Sequence, residues 1–273
     1  MPSDMPNEPA ATKGFIRRFL DAPPDSVGKT IFVAVSLCLV ASLIVSAAAV
    51  ALRPTQEINA KRDKQVNVLQ VAGIYEPGVD VGEAFAAFEP RILDIETGTF
   101  TDQFDSASFD DLAAAEDPAL SRELVDDPAG IGRQSNFVTV YLLRDDAGAL
   151  DKVILPLHGY GLWSTLYGFI ALEENGNDIF GLQFYQHAET PGLGAEVDNP
   201  RWKALWNGKQ VFAENGEVAI TVAKSAPPEG ADYHIDALAG ATLTSKGVDN
   251  LVKFWLGEEG YTPFLSRLQE GGV

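Results

Sequence analysis

Cysteine and histidine are rare in this sequence. Cys38 is the only cysteine among 273 residues, which excludes a disulfide within the chain and a metal site made of several of its own thiolates. The three histidines, His158, His187 and His234, are too few to indicate a histidine metal cluster, and each is interpreted more simply as a loop histidine. The sequence therefore contains no group of residues that we assign as metal ligands.

Basic residues are also scarce. The chain has 20 Lys and Arg residues against 39 Asp and Glu residues, a net charge of −19 at pH 7. Residues 1–53 contain four acidic and five basic residues, so that residues 54–273 carry a net charge of −20. A field of this sign repels nucleic acid and anionic lipid headgroups, and we expect neither as a partner of this region.

Several motifs of nucleotide-binding and hydrolytic enzymes are missing as well. There is no P-loop, no Gly-x-Gly-x-x-Gly dinucleotide fingerprint, and no arrangement of Ser, His and Asp that rises above chance. The sequence thus indicates neither a site for NADH nor a hydrolytic triad, and we assign no catalytic residue.

The longest apolar run, residues 31–52, contains no charged residue. As a helix it would be about 33 Å long, enough to cross the hydrocarbon core of a bilayer. Ala47-Ala-Ala49 resembles a signal-peptidase site, but the run is longer than the roughly 7–15 apolar residues of a signal peptide. We therefore predict an uncleaved transmembrane helix behind an N-terminal tail, residues 1–30. Four basic residues precede the run and four follow it, so charge alone does not orient the helix.

Two regions are predicted beyond the membrane. Residues 53–99 are predicted as a membrane-proximal helical or connecting region, and residues 100–273 as one folded domain. A helix is predicted over residues 57–71, because charges lie on one side while Val66 and Leu69 lie on another.

Alternating, β-branched segments dominate the predicted domain. Asn215-Gly216 indicates a hairpin turn, and Pro156 indicates that its strand lies at an edge of the sheet. These features predict an α+β fold with a mixed, largely antiparallel sheet. The predicted strands are residues 137–143, 153–157, 166–172, 179–185, 211–212 and 218–223.

Residues 236–245, Asp-Ala-Leu-Ala-Gly-Ala-Thr-Leu-Thr-Ser, are small, flexible and rich in hydroxyl groups. A helix is predicted directly behind them, with a cap at Thr244 or Ser245. Residues 240–242 would then lie where the first backbone N–H groups of the helix point outward, a position that favours a phosphate. A plain glycine turn before a capped helix is the alternative interpretation. The apolar face of the predicted helix consists of Val248, Leu251, Val252, Trp255 and Leu256.

A second unusual segment is His187-Ala-Glu-Thr-Pro-Gly-Leu-Gly194. Its proline and glycines predict a tight loop, on which Glu189 and Thr190 present polar groups and Leu193 presents an apolar side chain. Such a loop suits a flat heterocycle, whose edge meets polar groups and whose face meets an aliphatic side chain. An ordinary Pro-Gly turn has the same local pattern and is the alternative.

A third segment, Gly159-Tyr-Gly-Leu-Trp-Ser164, combines permissive glycines with two aromatic residues. Tyr160 and Trp163 would offer a surface to a flat ligand if they were exposed. Core aromatic residues at the start of a strand would have the same pattern, so that this segment alone does not decide between the two.

The pattern Asp236-x-x-Ala-Gly-Ala-Thr242 resembles the flavinylation motif of the FMN-binding domain family. In that family a flavin transferase joins FMN, through its phosphate, to the last threonine as a phosphoester. The resemblance implies covalent FMN on Thr242, with Asp236 as the leading acid, and Ala239 stands where the family usually has Ser or Thr. The other residues that it implies at the flavin are Gly240, Ala241, Thr244, His187, Glu189, Thr190, Leu193, Gly194 and Trp163.

Further segments resemble a family of membrane-anchored flavoproteins, the covalent FMN subunits of sodium-translocating NADH:quinone reductases. The resemblance implies an electron carrier between a membrane-embedded iron centre and a flavin on a neighbouring subunit, in a complex that oxidises NADH, reduces quinone and exports sodium. It also implies a cytoplasmic N-terminus and a flavin domain on the periplasmic side of a bacterial inner membrane. The segments are Leu69-Gln-Val-Ala-Gly73, Gly161-Leu-Trp-Ser164, Tyr167-Gly-Phe169, His187-Ala-Glu-Thr-Pro-Gly-Leu-Gly194, Asn199-Pro-x-Trp202, Gly240-Ala-Thr-Leu-Thr-Ser245, Phe254-Trp-Leu-Gly257 and Pro263-Phe-Leu265.

The partners that this resemblance implies are the other subunits of the complex, B, D and E especially, together with a flavin transferase and the lipid bilayer. One alternative is the equivalent flavoprotein subunit of an Rnf-type electron-transport complex, which shares the flavinylation motif. Gly161-Leu-Trp-Ser164 and Phe254-Trp-Leu-Gly257 favour the sodium pump. The other alternative is an anchored scaffold module without flavin, for which Ala239 would mark a lost modification site.

Overall fold

The structure is a computed structural model that describes Pro23, residues 26–225 and residues 231–272. Most of the N-terminal tail predicted for residues 1–30 therefore lies outside the described residues. The chain divides into two compact units, with the boundary after Ala60.

The first helix, α1, spans Val27–Val71. It is long and apolar enough to cross a membrane, and the predicted transmembrane segment, residues 31–52, lies within it. The helix predicted over residues 57–71 belongs to the same helix, which contains Pro54. Within the second unit, the last turns of α1 are buried against the domain.

The second unit has an α+β fold with one six-stranded sheet in the order β2-β1-β5-β6-β7-β8, antiparallel throughout. This architecture confirms the predicted class and the largely antiparallel sheet. The elements after α1 are α2 (Val81–Phe85), β1 (Phe88–Asp94), β2 (Thr99–Thr101), α3 (Asp111–Glu116), β3 (Ser121–Glu123), β4 (Arg133–Ser135), β5 (Phe137–Arg144), β6 (Leu150–Tyr160), β7 (Thr165–Glu173), β8 (Ile179–Gln186), α4 (Pro200–Lys203), β9 (Thr221–Ala223), β10 (His234–Asp236), α5 (Thr242–Leu256) and α6 (Thr262–Gln269).

The prediction that Pro156 marks an edge strand is wrong, because β6 lies in the middle of the sheet. The ladder between β5 and β6 ends at the pair Tyr141 and Ile154. Beyond that pair, Pro156 has a strand partner only on the other side, Phe169 of β7. A central strand tolerates the proline because the ladder on one side has already ended, so that the missing N–H leaves no gap in it.

The sequence pattern does not predict β1 and β2, and β1 lies inside residues 53–99, which are predicted as helical or connecting. Pro90 and three charged residues interrupt the apolar alternation of β1. Its partner makes it a strand: β1 pairs with β5 from Phe88 and Leu143 to Asp94 and Phe137. Long-range pairing therefore overrides a weak local pattern.

The hairpin predicted around Asn215-Gly216 is present only as one isolated antiparallel bridge, between Phe212 and Val218. The strand that follows, β9, pairs in parallel with β10. Because β10 has only three residues, two of them His and Asp, it does not have a recognisable strand pattern. This parallel pair leads the chain into the segment before α5.

The two faces of the main sheet are covered by different elements. On β6, Val153 and Leu155 belong to a core that includes Leu251 of α5, whereas Ile154 belongs to a second core with Leu69 of α1. Alternation along a strand sends successive side chains to opposite faces. Helix α5 and the end of α1 therefore pack on opposite sides of the sheet.

Two hydrogen bonds hold α5 and the turn behind it on β6. Trp255 Nε1 donates to the carbonyl of His158 at 2.7 Å. The hydroxyl of Tyr261 donates to the carbonyl of Pro156 at 2.5 Å. Both side chains are otherwise buried, so these bonds satisfy polar groups that the core would leave without partners.

We predict that Gly98→Ala destabilises the fold more than Gly132→Ala does. Both glycines have positive φ, so that both alanines bear the cost of a left-handed conformation. Only at Gly98 would the new Cβ clash, with the carbonyl carbon of Pro263, whereas at Gly132 no atom of the described residues lies within 4 Å. We expect an additional loss of about 1–3 kcal/mol in the free energy of unfolding. Urea unfolding of the detergent-solubilised chains measures it, and equal losses would contradict this packing of the turn on α6.

Candidate functional site at the N-terminus of α5

The N-terminus of α5 is the first part of the candidate site. The helix begins at Thr242, and its N-cap residue, Ala241, makes no side-chain capping bond. The predicted cap at Thr244 or Ser245 is therefore wrong, because both residues lie inside the first turn. The hydroxyl of Ser245 accepts the N–H of Leu238 at 3.0 Å and donates to the carbonyl of Ala241 at 2.9 Å. It therefore braces the preceding turn instead of capping the helix.

The first turn of α5 leaves backbone donors available. Among the described residues, none accepts a hydrogen bond from the backbone N–H of Thr242, Leu243 or Thr244. Thr242 is exposed, and Gly240 before it has a φ of +76°, which glycine adopts without strain. Free donors and the positive end of the helix dipole together favour a phosphate at this position.

Glu189 is the hydrogen-bonding centre of the site. Its Oε1 accepts three successive backbone N–H groups, from Leu162 at 3.0 Å, Trp163 at 2.9 Å and Ser164 at 3.3 Å. Its Oε2 accepts the hydroxyl of Thr244 at 2.7 Å. One carboxylate therefore links the turn between β6 and β7, the loop after β8 and the first turn of α5.

The sequence predicts that Glu189 presents a polar group on the tight loop, and in the structure this group points inward. The side chain is buried, with 5 % of the residue exposed. Of the loop residues predicted to present side chains, Thr190 and Leu193 are the exposed ones. The carbonyl of Thr190 accepts the N–H of Leu193 and the N–H of Ala195, both at 3.1 Å, which fixes the tight loop. Whether Glu189 also contacts a flavin remains a prediction.

The carboxyl group of Glu189 is held in its ionised form. Burial raises the pKa of this carboxyl group, and the hydrogen bonds from Thr244 and from the backbone of Trp163, Leu162 and Ser164 lower it. The hydrogen bonds together outweigh burial, so the pKa lies below its ordinary value. The resulting negative charge lies beside the first turn of α5, where it stabilises the helix dipole.

Two glycines make room for this carboxylate. A Cβ at Gly161 would lie 2.6 Å from Oε1 of Glu189. A Cβ at Gly194 would lie 2.6 Å from both Oε2 of Glu189 and the hydroxyl oxygen of Thr244. Side chains at either position would break the hydrogen bonds that join the three segments. Gly194, a residue predicted at the site, therefore contributes the space that it leaves for this carboxylate.

Three exposed apolar side chains belong to the segments that Glu189 joins at the N-terminus of α5. Trp163 is 66 % exposed, Leu243 57 % and Leu193 44 %. Leu193 adjoins the turn before the helix, because a Cβ at Gly240 would lie 3.2 Å from its Cδ2. The structure thus resolves the alternative for the third segment: Trp163 is surface and not core. Apolar surface next to a helix N-terminus that favours a phosphate suits a flat ring that carries a phosphate.

Two residues predicted at the site have described hydrogen-bond partners outside the first turn of α5. The ring of His187 lies with Nε2 2.8 Å from a carboxylate oxygen of Asp198, while its Nδ1 accepts the N–H of Glu189 at 3.2 Å. The carboxylate of Asp236 lies 3.1 Å from Nε2 of His234. No described hydrogen bond joins either side chain to the first turn of α5.

The sequence reasoning missed Gly247 and Leu243. A Cβ at Gly247 would lie 2.5 Å from the carbonyl oxygen of Tyr160 and 2.9 Å from Cα of Gly161, so this glycine permits contact between α5 and the turn after β6. A glycine in the interior of a predicted helix was the available signal. Leu243 lies off the apolar face of α5, and an apolar residue outside that face is a signal of the same kind.

The chain is similar to known proteins of one family. The FMN-binding domain family matches residues 161–257, which include all three segments around Glu189. The C subunit (NqrC) of the Na(+)-translocating NADH-quinone reductase from Pseudomonas aeruginosa is 51 % identical over 259 residues, 92 % of this chain and 99 % of that protein. The NqrC protein from Yersinia pestis is 46 % identical over 255 residues, 91 % of this chain and 96 % of that protein.

A solved structure has the same architecture. The crystal structure of Shewanella oneidensis NqrC matches with a TM-score of 0.72 and 36 % identity, over 78 % of this chain and 99 % of that one. Fold and site together define the class, an FMN-binding protein with a long apolar N-terminal helix. The chain belongs to the NqrC family of the Na(+)-translocating NADH-quinone reductases. The Rnf-type alternative is not favoured.

We predict that Glu189→Gln destabilises the protein in a pH-dependent way. A carboxyl group whose pKa is depressed by folding contributes stability above its unfolded-state pKa, and this stability is lost as the pH falls through the depressed value. At pH 7 the variant should lose about 1.5–3 kcal/mol of the free energy of unfolding, as for a hydrogen-bonded charge. The difference between the native protein and the variant should shrink as the pH falls below about 4.3.

Urea unfolding at several pH values measures this difference. Glu214→Gln, at an exposed position, is the matched control and should cost little at any pH. A loss for Glu189→Gln that is the same at acidic and neutral pH would contradict a stabilising negative charge on Glu189.

Proposed function

We propose that this chain is the membrane-anchored, covalently flavinylated subunit that carries electrons through FMN in a sodium-pumping NADH:quinone reductase. The observation that carries the proposal is the exposed hydroxyl of Thr242 at the start of α5, beside backbone N–H groups that have no acceptor among the described residues. Membership of the NqrC family supports the same role. The chain itself is proposed to have no NADH site.

The residues at the site fit FMN. Thr242 would hold the phosphate as a phosphoester, and the N–H groups of the first turn would bind its free oxygens. The apolar surface of Trp163, Leu193 and Leu243 would cover the ring, with the exposed side chain of Thr190 available as a hydrogen-bond partner. The isoalloxazine supplies the redox chemistry, while the protein supplies position and electrostatics.

We propose that the N-terminus is cytoplasmic and that the flavin domain lies on the periplasmic side of a bacterial inner membrane. Among the described residues, one helix is long and apolar enough to span a bilayer, which supports a single anchor. A covalent bond is useful on that side, because FMN that dissociated outside the cytoplasm could not be replaced. A flavin transferase would make the bond, and the other subunits of the reductase, B, D and E especially, would be the partners of this chain.

Thr242→Ala tests the attachment point. In a host that contains a flavin transferase, we expect this variant to lose the flavin fluorescence that survives denaturing electrophoresis, because the acceptor hydroxyl is gone. The control is Thr244→Ala, in the same turn of α5 as Thr242. This variant removes a hydroxyl that already donates to Glu189.

The control protein should remain fluorescent on the denaturing gel. Fluorescence that persisted in Thr242→Ala would refute the assignment of the acceptor. A native protein without any denaturation-resistant fluorescence in such a host would instead favour the scaffold alternative.

Thr190→Val tests the predicted contact between the loop and the ring. The side chain of Thr190 is exposed and the loop is held by its carbonyl, so valine should leave the loop and the covalent bond intact. Loss of one hydrogen bond to the flavin is worth on the order of 1 kcal/mol, about 40 mV for one electron. Redox titration of both proteins measures the shift. The same midpoint potential in both would mean that the ring does not bond to Thr190.

A further inference from the structure

We propose that Glu189 is a positioning residue for the flavin. Its hydrogen bonds to Thr244 and to the turn at residues 162–164 determine the position of Trp163 relative to Thr242. The proposal rests on the proposed function, since it assumes that Thr242 carries FMN. It assigns Glu189 no contact with the reacting ring. Its role is to fix the geometry between the point of attachment and the turn that carries the exposed aromatic side chain.

The first argument is that the two carboxylate oxygens of Glu189 accept hydrogen bonds from two different segments. Oε1 accepts the three N–H groups of the turn, at 2.9–3.3 Å, and Oε2 accepts the hydroxyl of Thr244 at 2.7 Å. Thr244 is two residues beyond Thr242 in the first turn of α5. A rigid planar group therefore spans the gap between the turn that carries Trp163 and the helix that carries Thr242, and hydrogen bonds to a charged group are strong.

The second argument is that close packing leaves the carboxylate little freedom. Gly161 and Gly194 approach its two oxygens so closely that a Cβ at either position would lie 2.6 Å away. A separate hydrogen bond, from the N–H of Ala188 to the hydroxyl of Ser164 at 2.7 Å, also ties the loop to the turn. The loop and the turn thus form one unit, and Thr244 is the described side-chain link from Glu189 to α5.

The third argument concerns what this unit carries on its outer side. Trp163 is 66 % exposed, so the core does little to orient its side chain, and the position of its backbone limits where the ring can reach. Leu193, in the same loop as Glu189, adjoins Gly240 in the turn before Thr242. A carboxylate that only stabilised the core would not need to organise exposed side chains around an exposed threonine. The expected consequence is a change in the surroundings of the flavin without loss of its attachment.

Three variants of the full chain separate positioning from attachment. Thr244→Val keeps the shape of the side chain and removes the donor, Thr244→Ser keeps the hydroxyl, and Glu189→Gln keeps the shape of the acceptor and removes its charge. Fluorescence on a denaturing gel reports attachment. Visible circular dichroism of the bound flavin, and the quenching of its native-state emission by Trp163, report the surroundings of the ring. Trp163→Leu gives the emission level without that quencher.

We expect covalent flavin in all of these proteins. Thr244→Val and Glu189→Gln should have altered visible circular dichroism and emission displaced toward the level of Trp163→Leu, whereas Thr244→Ser should match the native protein. Native spectra and emission in both Thr244→Val and Glu189→Gln would overturn the proposal. So would altered spectra in Thr244→Ser equal to those of Thr244→Val, because the hydroxyl would then not be the link.

Hydrogen–deuterium exchange of the unflavinylated full chain tests the contact independently of FMN. The amides of residues 162–164 should exchange faster in Glu189→Gln than in the native sequence, because their shared acceptor loses its charge. The amides of β9 are the internal control and should not change. Unchanged exchange at residues 162–164 would overturn the positioning role. A native protein that never carries flavin, but has this exchange pattern, would refute only the proposed function.

Discussion

The close approach of α5 to β6 is the constraint on which the rest of the site depends. At Gly159 a Cβ would lie 2.5 Å from Cβ of Leu251, and at Gly247 it would lie 2.5 Å from the carbonyl oxygen of Tyr160. One glycine on the strand and one on the helix therefore allow the two elements to touch. This contact brings the first turn of α5 beside the turn that carries Trp163, which makes a link through Glu189 possible.

The sheet also separates the site from the segment that leads to the membrane. Within the second unit, Leu69 near the end of α1 and Ile154 belong to the core on one face, while Leu251 of α5 and Leu155 belong to the core on the other. The residues around Thr242 lie on loops and on a helix terminus that this rigid sheet supports. Function on loops over a regular scaffold is common, because loops can vary without loss of the core.

The local sequence pattern was sufficient to predict an element wherever that element has its own hydrophobic periodicity. The apolar run of residues 31–52, the strands β5, β7 and β8, and the apolar face of α5 were all predicted from spacing. Pattern failed where pairing overrides it: β1 contains Pro90 and charged residues yet is held along β5. It failed also for Pro156, because the end of a neighbouring ladder is not visible in the strand itself.

The candidate site divides in the same way. The segments that surround the N-terminus of α5 could be selected from their glycines, hydroxyls and aromatic residues, together with the family resemblance. The direction of each side chain could not. Glu189 looked like a polar group for a ligand, and it is buried with four donors. Thr244 looked like a helix cap, and it donates to that carboxylate instead.

The sequence by itself determined a charge-free span, an acidic domain with an antiparallel sheet, and a small, hydroxyl-rich segment before a helix. These properties follow from composition and from periodicities that one stretch of chain contains. Tertiary structure alone decided that Glu189 faces inward, that Trp163 faces outward, and that Glu189 joins the backbone of Trp163 to the hydroxyl of Thr244. The physical reason is that a carboxylate, a hydroxyl and three N–H groups from distant segments satisfy one another only when the fold brings them within hydrogen-bonding distance.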